Sequence, residues 1–121
     1  MGHLEDEAGP PAAAVKRIGA VIEVVEETAD EYVRLHKAVW PEVLETLRRA
    51  NITNYSIFRR GNLLFSYMEY RGRDLAADMA TVAADPVTQR WWALCMPLQR
   101  TLRASPEEDW WAPMDEVFHL A

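Results

Sequence analysis

In the segment EYVRLHKAVWPEV, Glu31 to Val43, His36 follows Tyr32 by four residues and precedes Trp40 by four. On a helix that spacing lines up a phenol, an imidazole and an indole on one face. Such a set has a definite chemistry. An imidazole with a pKa of about 6.5 moves protons in either direction near neutrality, while aromatic faces stack on the C–H faces of a sugar. The same spacing also describes a plain packed core in which His36 bonds a carbonyl and the rings fill space, and spacing alone favours that reading. Trp91-Trp92 is a second signal, because adjacent helical residues diverge by roughly 100° and the two indoles cannot share one burial direction. At least one of them faces a cleft or an interface, or both pack at a subunit contact. Trp110-Trp111 falls in a polar loop with no helical face to fill, which suits a cleft lid or a loop anchor. Arg90 and Glu116 are placed in surface ion pairs.

Other chemistries find little purchase. His3, His36 and His119 show no paired metal-ligand spacing, so no metal site is expected. A phosphate-cradling glycine loop and a GxSxG elbow are both missing, and Ser56, Ser66 and Ser105 stand isolated. The net charge of −6 offers no basic patch for nucleic acid or an anionic membrane. A small neutral ligand fits better. Cys95 is the only cysteine, so there is no internal disulfide, and a reducing cytoplasm is the simplest setting. No apolar run approaches the roughly 20 residues of a membrane helix, and the acidic start MGHLEDEAGPPAAA lacks the basic opening of a signal peptide. Met1 to Lys16 reads as a flexible tail or a cloning remnant ahead of one domain, residues 17–121.

The elements that must position His36 follow from periodicity. KRIGAVIEVV, Lys16 to Val25, is β-branched enough for a buried strand. Ala29, Tyr32, Val33, His36, Val39, Trp40, Val43, Leu44 and Leu47 then recur at helical intervals, with Leu35 the one apolar residue on the charged face. Thr28 and Glu31 have capping-box spacing, and Pro41 demands a kink or a restart. NYSIFRR and NLLFSYMEYR form a hairpin turning at Arg60-Gly61-Asn62. In its second strand Leu64, Ser66, Met68 and Tyr70 alternate with Leu63, Phe65, Tyr67 and Glu69. Arg73 to Ala84 is helical, and Asp85-Pro86 opens a further helix running to about Thr101. A loop, Ala104 to Pro113, leads to a closing strand over Met114 to Leu120, with Val117 and His119 on one side and Glu116 and Phe118 on the other.

This βαββ(αα)β order suits an α+β fold: a ferredoxin-like antiparallel sheet with helices on one face. A hairpin apolar on both sides cannot meet helices with both. A partner subunit over the second face is therefore expected, as in a homodimeric α+β barrel.

EYVRLHKAVWPEV, NYSIF, NLLFSYMEY, DPVTQRWW and MDEVFHL, in that order, resemble the L-rhamnose mutarotase family from about Arg17 to Leu120. EYxxxHxxxWPE and QRWW are the most specific segments. The resemblance implies the same dimeric fold and, without cofactor, interconversion of the α and β anomers of L-rhamnose or a closely related deoxysugar by ring opening and closure. It implies that His36 is the proton donor and that Tyr32, Tyr55, Trp91 and Trp92 contact the sugar. Two rivals remain on the same fold: a monooxygenase or cofactor-binding barrel, which a visible absorbance band would betray, and a sugar-binding module without catalysis.

Overall fold

The computed structural model describes residues 14–102 and 109–121. The predicted tail up to residue 13, with His3, and residues 103–108, with Ser105, lie outside them. The chain opens with β1 (Lys16–Val24), whose even positions Ile18, Ala20, Ile22 and Val24 turn one way. Ile22 and Val24 are completely buried. Strand β2 (Ile52–Arg60) pairs with β3 (Leu63–Tyr70), and β3 pairs with β1 along its whole length. The opposite edge of β1 is shared by two short strands: β4 (Gln99–Arg100) lies against Glu23 and Val24, and β5 (Ala112–Met114) against Gly19 to Val21. All pairings are antiparallel, in the order β2-β3-β1 and then β4 with β5, which is the expected ferredoxin-like sheet.

Four helices cover the face bearing Ile22, Val24 and Leu64: α1 (Ala29–His36), α2 (Pro41–Arg49), α3 (Leu75–Ala84) and α4 (Pro86–Cys95). The demand at Pro41 is met by a restart. Trp40 is extended, at φ −60° and ψ 133°, as the residue before a proline prefers, and Pro41 becomes the first residue of α2. The restart breaks the helical phase. Leu35, expected in water, packs against the core, while Leu44 is turned outward. Thr28 does not form a capping box. It leaves a short 3₁₀ turn at φ −118° and ψ 13°, and its hydroxyl donates to the Val25 carbonyl at 3.2 Å instead of accepting from the helix. Asp85 does cap α4, accepting from the Thr88 amide at 2.9 Å, and Asp74 caps α3 in the same way.

Two further expectations are corrected. Helix α4 stops at Cys95 rather than near Thr101, because Pro97 has no N–H to continue the ladder; Met96 to Leu98 tighten into a 3₁₀ turn and the chain enters β4. The closing strand is shorter than expected and earlier, at Ala112–Met114. Residues 115–121 leave the sheet with Phe118 79% exposed, since nothing among the described residues of one chain covers their apolar side chains. On the sheet face away from the helices, Val21 sits beside Phe65, Phe58 beside Phe65, and Gly19 between Tyr67 and Met114. Phe58 is 64% exposed there. The expected second apolar face is present.

At the far end of the molecule, the Tyr70 hydroxyl donates to Asp78 at 2.5 Å and accepts from the Asp74 amide at 2.9 Å, fastening β3 to α3. Asn51 donates to the same Asp78 oxygen at 3.1 Å. A Cβ on Gly72 would fall onto the Tyr70 hydroxyl, which these bonds hold in place. Gly72→Ala is therefore expected to cost about 1–3 kcal/mol, read as a lower midpoint in urea. An unchanged midpoint would show that the clasp yields freely.

Candidate active site

His36 is the last residue of α1, half-buried between two rings. Tyr32, one turn back, stacks on it with centroids 4.1 Å apart and planes 24° apart. Trp91 of α4 meets its other side edge-on at 5.4 Å and 66°. Trp40, at the restart, meets Trp91 edge-on at 5.3 Å. Of the face predicted from spacing, the Tyr32–His36 pair is formed within α1; Trp40 lies beyond the end of that helix and reaches the group only through Trp91.

The histidine's tautomer follows from its partner. Nδ1 lies 2.9 Å from the Tyr32 carbonyl oxygen. A carbonyl only accepts, so Nδ1 carries the hydrogen and Nε2 keeps its lone pair. Burial holds the imidazole pKa below its usual value, opposed by that same carbonyl bond. The resting ring is neutral, and Nε2 has no partner among the described residues. The plain reading and the chemical one are therefore both satisfied, one at each nitrogen.

Tyr32 is buried, and burial raises its phenol well above the usual tyrosine range, with the Gln99 hydrogen bond pulling the other way and Tyr55 and Cys95 adding to the rise. Tyr55 arrives by a different route. Between Thr53 and Ser56 strand β2 carries one residue too many, so Asn54 and Tyr55 together oppose Met68. Asn54 takes the left-handed conformation at φ 48°, a cost an asparagine side chain tolerates better than most, and bonds Glu69 at 2.8 Å. This bulge directs Tyr55 to the helix side. The residue is 43% exposed, yet burial still raises its phenol, with Cys95 adding to the effect; its flank is open and its hydroxyl end lies inward. Burial likewise pushes the Cys95 thiol up to about 11.

Trp92 lies apart. It is half-buried between the two core clusters, one around Ile22 and Leu64 and the other around Ile52 and Tyr70, and makes no ring contact with His36. Trp110 and Trp111 pack against the first cluster, as loop anchors rather than a lid. Glu116 pairs with Arg17 at 3.1 Å, while Arg90 is exposed without an ion-pair partner among the described residues. Sequence reasoning missed Gln99, a buried side chain bonded to the Tyr32 hydroxyl at 3.1 Å and to the Trp110 indole at 2.7 Å. The available signal was Pro97, which forbids the helix that hid it. No three His, Cys, Asp or Glu side chains converge among the described residues.

The family pattern described as L-rhamnose mutarotase matches residues 17–120. The chain belongs to the L-rhamnose mutarotase family. An L-rhamnose mutarotase of Oceanobacillus iheyensis is 32% identical over 108 residues, covering 88% of this chain and 99% of that protein. Within reach of the family is also an L-fucose mutarotase of Xanthomonas campestris, 33% identical over 113 residues and covering 89% and 90% of the two chains. The crystal structure of an L-rhamnose mutarotase from Formosa agariphila superposes with a TM-score of 0.67 at 23% identity, over 88% of this chain and 99% of that one. That likeness shows the fold: an antiparallel sheet backed by helices. No helix among the described residues is long and apolar enough to cross a membrane.

Proposed function

We propose that this chain interconverts the α and β anomers of L-rhamnose, or of a closely related deoxysugar, with His36 as the proton-handling group. The observation that carries the reading is the half-buried His36 ring, locked at Nδ1 and open at Nε2 inside a wall of aromatic rings. In one turnover Nε2 takes the proton of the anomeric hydroxyl, the carbonyl forms at C1, and the bond from C1 to the ring oxygen breaks. The ring oxygen gains a proton from water or a neighbouring donor. After rotation about C1–C2 the ring closes on the other face, the ring oxygen gives its proton back, and the imidazolium returns its own to O1. His36 is thus an acceptor first and the donor afterwards. Tyr32 and Tyr55 are hydrogen-bonding groups, since burial keeps both phenols protonated at neutral pH. Trp91 supplies an apolar wall. Trp92 belongs to the reading through the family resemblance, and the geometry gives it no place against His36.

Saturation transfer between the anomeric protons of L-rhamnose tests the reading, with L-fucose as the comparison sugar. One methyl or hydroxyl alters binding by only a few kcal/mol, so both exchanging is compatible with it. Binding without faster exchange of either sugar would favour a sugar-binding module.

The pH dependence has a definite sign. His36 begins as a base with its pKa lowered from 6.5, so exchange should be flat above that value and fall as pH drops through the lower, folded-state pKa. Stability follows the same direction, because the unfolded chain binds this proton more readily, and the contribution present above the unfolded pKa is lost as pH falls. A rate that rises on acidification would assign the resting histidine the donor role instead.

We further infer a homodimer formed over the open sheet face, supported by the exposed Phe58, Met114 and Phe118, and a reducing, cytoplasmic setting, which suits a single buried thiol. Sedimentation equilibrium is expected to give twice the chain mass of 13.9 kDa. A monomer at micromolar concentration contradicts the dimer.

A further inference from the structure

Gln99 bridges two aromatic side chains, and the chemistry of its partners fixes its orientation. The indole nitrogen of Trp110 only donates, so the Gln99 atom 2.7 Å from it is the carbonyl oxygen Oε1. The other end is then the NH₂ group, which lies 3.1 Å from the Tyr32 hydroxyl. An NH₂ group only donates. The Tyr32 oxygen must therefore accept from Gln99, and its own hydrogen must point elsewhere. No acceptor among the described residues takes it. The bridge is well seated: Gln99 and Tyr32 are buried, Gln99 is held in β4 opposite Val24, and Trp110 packs on the core. A buried hydroxyl ordinarily has an acceptor, and the face of this phenol is shared with the His36 imidazole.

We propose that Gln99, clamped by Trp110, is a positioning residue that fixes the Tyr32 hydroxyl as a hydrogen-bond donor to the sugar ring oxygen. The proposal rests on the anomer-exchange reading. Ring opening builds negative charge on the ring oxygen as its bond to C1 breaks, and a donor already aimed there stabilises that charge without reorganising. If the amide were free to turn over, Oε1 would accept the phenol hydrogen and the donor would be withdrawn from the sugar. Trp110 prevents the turn by occupying Oε1. Gln99 touches no reacting atom; it acts through Tyr32.

The test uses Gln99→Met, which keeps the length and removes the donor, and Trp110→Phe, which keeps a ring and removes the N–H. Each is made in the parent and in a Tyr32→Phe chain, and anomer exchange of L-rhamnose is followed by saturation transfer at enzyme concentrations high enough for catalysed exchange to exceed the spontaneous rate. In the parent each change is expected to lower the turnover rate about tenfold or more, as for a misaimed group, with a smaller effect on KM. In the Tyr32→Phe chain neither change should lower exchange further. The Trp110 indole N–H resonance, identified by its loss in Trp110→Phe, should shift in Gln99→Met. An equal loss in both backgrounds would assign Gln99 to packing alone, and parent-like exchange in folded Gln99→Met would overturn the proposal while leaving the exchange reading intact. Should Gln99→Met not fold, Trp110→Phe decides by the same comparison. A parent chain that exchanges neither sugar removes both.

Discussion

His36→Ala is expected to lose about 10²- to 10⁴-fold of the catalysed anomer exchange, the usual contribution of a positioned acid or base. The same change removes a stacked ring and the Nδ1 bond to the Tyr32 carbonyl, so some stability goes with it, roughly 1–3 kcal/mol. His36→Asn separates the two effects. Its amide NH₂ can stand close to the position of Nδ1 and keep the carbonyl bond, while nothing replaces Nε2. Saturation transfer and thermal melting on both variants therefore give a clear pattern: exchange lost in both, stability largely kept in His36→Asn. Exchange near the parent rate in a folded His36→Asn chain would return His36 to the core and end its catalytic assignment.

Trp91→Ala should be the most damaging single truncation for the fold. The indole is 5% exposed and wedged edge-on against both His36 and Trp40, and emptying such a site costs about 3–5 kcal/mol. That is a large share of the roughly 5–15 kcal/mol that holds a domain together. A drop in melting temperature on the order of 10–20 °C is expected. Trp91→Phe keeps an aromatic edge against His36 and should remain folded with measurable exchange. A Trp91→Ala chain that melts like the parent, yet binds sugar poorly, would mean that the indole serves the sugar and not the core.

The reach of sequence reasoning can be seen in where it held and where it broke. The Tyr32–His36 stack was legible because both residues lie within one helix, where four-residue spacing fixes that the side chains meet, whereas Trp40 lies beyond the helix end and joins the group through Trp91. The hairpin was legible for a similar reason: Gly61, at φ 58°, marks a two-residue turn between Arg60 and Leu63. The errors arose where distant partners decide. Leu35 is half-buried against the core because the restart at Pro41 sets α1 and α2 out of phase, and no single helical wheel represents that. Gln99 remained hidden because its bonds reach Tyr32, 67 residues away. The Met114 to Leu120 alternation predicted a strand, but alternation states only that two faces differ, not that a neighbouring strand extends far enough to pair with them.

The bulge in β2 also sets how the hairpin tolerates changes of length. Elsewhere along a strand, removing one residue inverts every side chain beyond it, so that Phe58 would be driven toward the helices and Ile57 into the open. At Asn54 and Tyr55 two residues face one. Taking either away restores ordinary one-to-one pairing, with Thr53 and Ser56 still opposite Glu69 and Tyr67. The fold can thus lose a residue there and keep both faces of its sheet, while the local twist that aims the Tyr55 phenol changes. Architecture and aim are encoded separately at this point in the chain, so the direction of one phenol can drift through insertion and deletion without disturbing the sheet that carries it.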